Sequence, residues 1–543
     1  MKPWDDHWPA TRLESHFGDR VVRCFAGRPH SLYALLTAAA GQFPDREALV
    51  CGDQRLSWRN VQDQTAQLAQ GMAERGIRQG DRVAMLIGNC NEFVTTLFAI
   101  ARLGAIAVPI SIREQTPGLA YMLTNCSASM LVHDADLGDR LPAAADIPGM
   151  RHRVALGTFK GSEPFQSLLA SRGECAVAEV AEEDVAAIMY TSGTTGNPKG
   201  ATLTHLGIVH STMHYEFGMG LTETDVSIAA VPLSHVTGLV ALVATLCRCA
   251  GKLVIMPAFK ASDFLHLAVR EAMTHTLMVP AMYNLCLLQS DFDAHDLSSW
   301  RIGAYGGAPM PVATIDRLAQ TQPGLTLMNC YGATETTSPA TLMPQGQSAA
   351  HRDSVGRNLV CAEIAVFDDQ GREVANGQLG EIWIKGPMVV KDYWGNTAAT
   401  QTNFTGGYWH SGDLGSIDAD GYVKVVDRMK DMINRGGYKI YTIEVENALY
   451  SHPAVLECAV VAKPCPVLGE RVHAFVTLRD ENANGEDGLT QQALKIHCAS
   501  RLSDYKVPES FTLSTSPLPH NANGKLVKRA LRDQAMAMTR ATQ

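Results

Sequence analysis

Four groups of residues in this chain have the types and spacing to do chemistry. The first is YTSGTTGNPKG, Tyr190 to Gly200. Its glycines and hydroxyls, Thr191, Ser192, Gly193, Thr194, Thr195 and Gly196, offer backbone N–H and side-chain donors of the kind phosphate oxygens require, and Lys199 adds positive charge. No Gly-Lys-Ser/Thr triplet closes it, so it is not a Walker A loop. A flexible surface turn is the bland alternative; the composition and the setting, after an apolar strand and before a helical pattern, disfavour it. The second group is NCYGATET, Asn329 to Thr336, where an aromatic ring, a hydroxyl and a carboxylate lie between Tyr331 and Glu335. Such a set could stack on a base, bond a phosphate and hold Mg²⁺, although Tyr-Gly and Thr-Glu also form ordinary turns and helix starts. The third joins Asp413 of HSGD to Arg428 of DRMKD. A carboxylate can accept hydrogen bonds from two ribose hydroxyls and a guanidinium can serve the same sugar or a phosphate, but charges on hairpins are usually only solvated. The fourth is Gly524-Lys525, in a loop otherwise of Asn and Ala, where a lysine by itself would be surface decoration.

The elements that must position these groups alternate. DRVAMLIG (81–88) reads as a buried strand, FVTTLFAIARLGA (93–105) as a helix and IAVPI (106–110) as the next strand, and the pattern resumes at VAAIMY (185–190) and GKLVIMP (251–257). Repetition of this kind predicts layered α/β structure with largely parallel pairing. The helix after the Gly-rich loop should carry Leu206, Val209 and Met213 on one apolar face, and GLVALVATLC (238–247) should form a buried helix. Beyond Gly371, Gly-punctuated hairpins replace the βαβ pattern. After Arg428 the pattern changes again, to a helix stopped at His452-Pro453, two strands, an amphipathic helix and a final helix. The expected organisation is a large multi-subdomain N-terminal α/β domain, 1–429, with a β-rich segment before a hinge, and a small α+β C-terminal lobe, 430–543.

Composition narrows the classes. A chain of 543 residues exceeds one ordinary core. Hydrophobic residues at 46% and charged residues at 19% suit a soluble globular protein, and the net charge of −9 argues against nucleic-acid partners. Thirteen cysteines without a CxxC pair indicate neither a disulfide framework nor a zinc site. The polar N-terminus has no signal-peptide core, and no stretch reaches the length of a membrane span, so a cytoplasmic protein is expected.

In this order, the four groups resemble the adenylate-forming superfamily of acyl-CoA synthetases, 4-coumarate–CoA ligases and beetle luciferases, from about Ser31 to Leu531. The phosphate loop and GYWHSGDLG…DRMKDMINRGGYKI are the most specific parts. The resemblance implies a ligase that converts a carboxylic acid and ATP to acyl-AMP and pyrophosphate, then passes the acyl group to coenzyme A, with a C-terminal lobe that rotates between the two half-reactions. It implies that Thr191 to Lys199 cradle the phosphates, that Tyr331 and Gly332 lie against adenine near Gly306, Gly307 and Ala308, and that Thr334 bonds the α-phosphate. By the same resemblance Thr191 and Glu335 hold Mg²⁺, Asp413 and Arg428 bind ribose, Lys525 serves adenylation, Lys430 sits at the hinge, and Gly436-Gly437 line the pantetheine tunnel. His235 matches a histidine near the substrate carboxylate. Its neighbour Val236, with 304–306 and 336–340, makes a small or apolar wall, and no aspartate is present to pair a substrate ammonium; the acyl group is therefore expected to be uncharged and fatty, aryl or alicyclic. The partners implied are a small-molecule carboxylic acid, ATP and CoA, with a homodimer left open. Delivery of the adenylate to a carrier protein or an amine is the alternative, with no fused carrier domain visible. A luciferase-like oxygenase and a nucleotide-binding pseudoenzyme are further rivals.

Overall fold

The computed structural model describes residues 8–171, 173, 175–191, 197–479, 490–520 and 526–541. Ser192 to Gly196 of the Gly-rich loop and Lys525 lie outside the described residues.

Two large sheets dominate the N-terminal part. The first has seven strands in the order Lys199–Thr204, Val185–Thr191, Ile106–Pro109, Arg82–Leu86, Met130–Asp134, His152–Leu156 and Glu163–Pro164. Every pair but the first is parallel. The second has nine, in the order Arg357–Asn358, Thr341–Leu342, Thr326–Tyr331, Ile302–Gly306, His275–Met278, Val226–Ala229, Lys252–Ile255, Glu47–Cys51 and Gln54–Ser57. Its central pairs, from Thr326–Tyr331 to Glu47–Cys51, are parallel. Parallel sheets are covered on both faces, which is why their strands are apolar runs rather than alternating ones. The helix Asn91–Arg102 touches Ile106–Pro109 of the first sheet and Glu47–Cys51 of the second, and almost none of its residues reaches solvent.

The helix His205–Met219 corrects an expectation. Leu206, Val209 and Met213 do not define one apolar face: the helix is buried on all sides, polar residues included. Its polar rings pair with backbone groups of other segments, so burial costs no unmet hydrogen bond at His205 Nδ1, His210 Nε2 or His214 Nε2. The connection ahead of it also differs from a strand–loop–helix. A second strand, Lys199–Thr204, pairs antiparallel with Val185–Thr191 and covers an edge that would otherwise lie open. The apolar run 238–247 is likewise not a plain helix. Thr237–Ala244 is π-helical and Thr245–Cys249 α-helical. The Thr245 hydroxyl donates to the Val240 carbonyl five residues back, inside this widened turn.

From residue 363 to 428 the strands pair antiparallel. Glu363–Phe367, Gly380–Lys385, Tyr408–Ile417 and Phe404–Thr405 form a sheet, with Val423–Arg428 returning beside Tyr408–Ile417. In the last part Ile433–Arg435 turns into Tyr438–Ile440 through Gly436 and Gly437, at φ +59° and +94°. Both loop positions are at positive φ, a region that glycine enters without a Cβ penalty. The long pair Val455–Cys465 and Gly469–Leu478 follows, with Ser510–Ser514 parallel to it and helices Thr442–Tyr450, Gln491–Ala499 and Lys528–Ala541 alongside. The large N-terminal hydrophobic cluster ends at Val423, and the C-terminal clusters begin at Ile433. No described helix is long and apolar enough to cross a membrane.

Candidate active site

The nine-stranded sheet brings His235, Gly306 to Ala308 and Tyr331 to Glu335 to the carboxyl ends of its parallel strands. The chain lays down Val226–Ala229, adds Lys252–Ile255 on one side, then returns to add His275–Met278, Ile302–Gly306 and Thr326–Tyr331 on the other. Such a reversal leaves a crevice above the strand ends where ligands of open α/β sheets bind. His235 follows the first of these strands, Gly307 and Ala308 follow Ile302–Gly306, and Gly332 to Glu335 follow Thr326–Tyr331.

Close packing explains the glycines here. Gly306 pairs with Cys330 on the next strand, and a Cβ on it would lie 2.4 Å from the Cys330 carbonyl oxygen. Gly307 has φ +80°, and a Cβ on Gly332 would meet Thr336 Oγ1 at 3.0 Å. The segment 306–308 is thus a strip of backbone without bulky side chains, ending beside the strand that carries Tyr331. The Tyr331 hydroxyl donates to Asp413 Oδ2 at 2.6 Å, and Arg428 Nε meets Asp413 Oδ1 at 2.6 Å. The hairpin register sets the second contact, because Asp413 stands directly opposite Arg428. Burial and the neighbouring Asp413 carboxylate hold the Tyr331 hydroxyl well above its usual range, so it remains a donor. Asp413 is buried while Arg428 is half exposed. Each carboxylate oxygen has two lone pairs, so Asp413 can keep both partners and still accept from a ribose.

A second corner joins the two sheets. Thr191 ends its strand in the first sheet, and Glu335 lies in the short turn Thr334–Thr336 after a strand of the second. The Thr191 hydroxyl donates to Glu335 Oε1 at 3.2 Å and the Tyr393 hydroxyl donates to the same oxygen at 3.0 Å. The Lys199 ammonium stands 5.0 Å from the centre of the Tyr393 ring. Glu335 is 8% exposed, and no basic side chain among the described residues forms an ion pair with it. A buried carboxylate without a direct ion-pair partner is costly, and a hard divalent cation offsets that cost. These donors therefore fit Mg²⁺ carried in by a nucleotide. Just beyond, Thr337 and Ser338 hold φ of +51° and +38°, strained for residues with side chains. The hydroxyls of Tyr215 and Ser338 lie 2.8 Å apart, helping to hold the loop in that shape.

On the acyl side, His235 Nδ1 accepts the Thr237 backbone N–H at 3.3 Å. A backbone N–H can only donate, so the neutral ring carries its proton on Nε2. Val236, Ala304, Tyr305 and all of 336–340 are buried. Lys430 occupies the turn between Val423–Arg428 and Ile433–Arg435, where burial lowers its ammonium below the usual range and its carbonyl accepts from Arg532. Thr334 is half buried in the same turn as Glu335. Gly436 and Gly437 sit at the hairpin tip described above, apart from the sheet-end corner. Sequence reading passed over Tyr393. Its signal was the aromatic pair Tyr393-Trp394 between Lys391-Asp392 and Gly395.

Residues 36–394 match the AMP-binding enzyme family, and residues 444–525 match the AMP-binding enzyme C-terminal domain. A feruloyl-CoA synthase of an Amycolatopsis species is 34% identical over 490 residues, covering 90% of this chain and 96% of that one. A long-chain-fatty-acid–CoA ligase of Mycobacterium tuberculosis is 31% identical over 490 residues, covering 89% and 94%. The o-succinylbenzoate coenzyme A synthetase of Bacillus subtilis, solved in complex with ATP and magnesium ion, superposes with a TM-score of 0.80 at 29% identity, over 92% of this chain and 98% of that one. With matches of this extent along both its large part and its C-terminal part, the chain belongs to the AMP-binding enzyme family.

Proposed function

We propose that this protein, an AMP-forming acid–CoA ligase, activates an uncharged, apolar carboxylic acid by the following division of labour. ATP, Mg²⁺ and CoA serve the reaction. A carboxylate oxygen attacks the α-phosphorus of ATP, the bond to the bridging oxygen breaks, and pyrophosphate leaves. The thiol of CoA then attacks the acyl carbonyl, loses its proton and expels AMP. Both partners of the first step are anionic, so the site must supply positive charge and fixed donors. When bound, Mg²⁺ withdraws charge from the phosphates. Thr191 and Glu335 hold it, with Tyr393 fixing the Glu335 carboxylate and Lys199 close by. Asp413 and Arg428 orient the ribose, Tyr331 bounds the adenine strip at 306–308, Thr334 bonds the α-phosphate, and His235 Nε2–H donates to the acid's carboxylate.

The observation that carries this reading is the buried Glu335 carboxylate at the junction of the two sheets, bonded to Thr191 and without an ion-pair partner among the described residues. Glu335→Gln keeps the hydrogen-bonding shape and removes the charge. The Mg²⁺ concentration for half-maximal pyrophosphate release is expected to rise about tenfold or more, close to 1.4 kcal/mol. A Mg²⁺ titration that superposes on the wild type overturns the assignment. Supporting the acyl class are the small or apolar side chains at Val236, Ala304 and Pro339-Ala340 and the names of two relatives, feruloyl-CoA synthase and long-chain-fatty-acid–CoA ligase. Pyrophosphate release with a panel of aryl, fatty and alicyclic acids, with and without CoA, ranks the substrates and tests the acceptor.

The lobe boundary lies at 429/430. Supporting it are the hydrophobic clusters, which share no residue across that point. A hinge concentrates its rotation in few dihedrals, and proline fixes φ. Lys430→Pro is expected to impair thioester formation from added adenylate while sparing adenylate formation. Equal losses in both half-reactions, with a lowered melting temperature, count against a hinge at this residue.

A further inference from the structure

A second cluster lies outside the strand-end crevice. His266 belongs to the helix Ala261–Arg270, and Asp291 and His295 flank the short turn Phe292–Ala294. One ligand atom from each of the three lies within 4.8 Å of the others. The two imidazoles stand at 80° with centres 5.0 Å apart. Each Nδ1 donates to a carbonyl four residues earlier, His266 to Ser262 at 2.8 Å and His295 to Asp291 at 2.9 Å. A carbonyl can only accept, so both neutral rings keep their lone pair on Nε2. An imidazole whose far nitrogen donates to a carbonyl is in the tautomer, and held in the orientation, that metal-binding histidines use. Asp291 serves twice, its carbonyl holding one ring and its carboxylate standing among the ligand atoms. The scaffold beneath is firm: Phe264, Phe292, Leu297 and Trp300 are buried under the two segments, and Phe264 packs edge-on to Trp300 at 6.3 Å.

We propose that His266, Asp291 and His295 form a binding site for a divalent transition metal, with zinc the best match. Two imidazole nitrogens and a carboxylate oxygen supply three of zinc's four tetrahedral positions, and water completes the set. Mg²⁺ prefers oxygen ligands and does not compete here, which separates this site from the nucleotide's cation at Glu335. Ligands of tetrahedral zinc stand about 3.3 Å apart, so the side chains close by roughly 1 Å or a little more on binding. The two histidines and the aspartate are at or near the surface and can make that movement by side-chain rotation. Bound metal clips the helix Ala261–Arg270 to the segment carrying Asp291 and His295 and stabilises the folded chain by mass action.

The test uses the full chain under thiol-reducing conditions. It is dialysed against micromolar Zn²⁺ with millimolar Mg²⁺ present, and bound zinc per chain is measured for the native protein and for His266→Ala and His295→Ala. The expected result is a site in the native protein whose affinity falls at least about tenfold in each variant. Co²⁺ substituted at the same site should give visible d–d absorption without a thiolate charge-transfer band. Acid activation should be unchanged in both variants. Zinc binding equal in all three proteins, a thiolate–cobalt band that persists in the variants, or no zinc retained by the native chain at micromolar concentration would each overturn the proposal.

Discussion

Lys525→Ala is expected to slow acyl-adenylate formation about 10²–10³-fold, the usual cost of removing one preorganised charge from a site where charge develops, while thioester formation from supplied adenylate changes far less. Lys525 itself lies outside the described residues, but its flanks are informative. His520 and Leu526, the described residues on either side, form an antiparallel bridge. The helix Lys528–Ala541 follows at once and is tied to the proposed hinge. Lys528 pairs with Glu446 at 2.7 Å and donates to the Thr442 hydroxyl, while Arg532 pairs with Asp431 and donates to the Lys430 carbonyl. Any rotation at Lys430 is thus coupled to the segment that carries Lys525. Single-turnover measurement of each half-reaction separates the outcomes. Undiminished acid-dependent pyrophosphate exchange in the variant would remove Lys525 from the adenylation step.

The second large effect is on stability in acid. Burial holds the His205 imidazole down to about 4, His210 to about 3 and His275 to about 4, and holds His214 well below its usual value. Three of these rings accept a backbone N–H: His205 from Leu32, His210 from Phe25 and His214 from Cys361. Protonation would set a proton against a donor in a dry interior. Because the folded values lie below the unfolded value near 6.5, the unfolded chain binds more protons between the two, and stability falls as pH drops from about 6.5 toward 4. Each such ring contributes a loss of about 2 kcal/mol between pH 7 and pH 5. Glu216, raised by burial to about 7, acts in the opposite direction, as do the raised carboxyls of Asp134, Asp427 and Glu446. His210→Gln isolates the histidine effect, since the amide oxygen can still accept the Phe25 N–H and does not titrate. Denaturant midpoints at pH 7 and pH 5 should show the variant losing about 2 kcal/mol less than the native protein over that interval. Equal losses would mean that His210 is already solvated or charged at pH 7.

Local chemistry was readable in the amino-acid order because it depends on neighbours along the chain. The glycine- and hydroxyl-rich composition of 190–200, the helix stop ahead of His452-Pro453 and the alternation of apolar strand runs with helical patterns are all short-range properties. The Asp413–Arg428 pair was half legible, since the hairpin was evident but its register was not. What required the tertiary structure is long-range. Thr191 and Glu335 are 144 positions apart, Tyr331 and Asp413 82, and Glu335 and Tyr393 58, and no periodicity reports that two sheets meet at one carboxylate. The burial of His205–Met219 on every side was hidden for the same reason. Its three histidines look like part of a polar face until backbone N–H groups from distant segments are found to occupy them. Side-chain type is a local property and sets what a residue can do; burial, counter-charge and tautomer depend on what the fold packs against it, as at Glu335 and Asp413 in the candidate site.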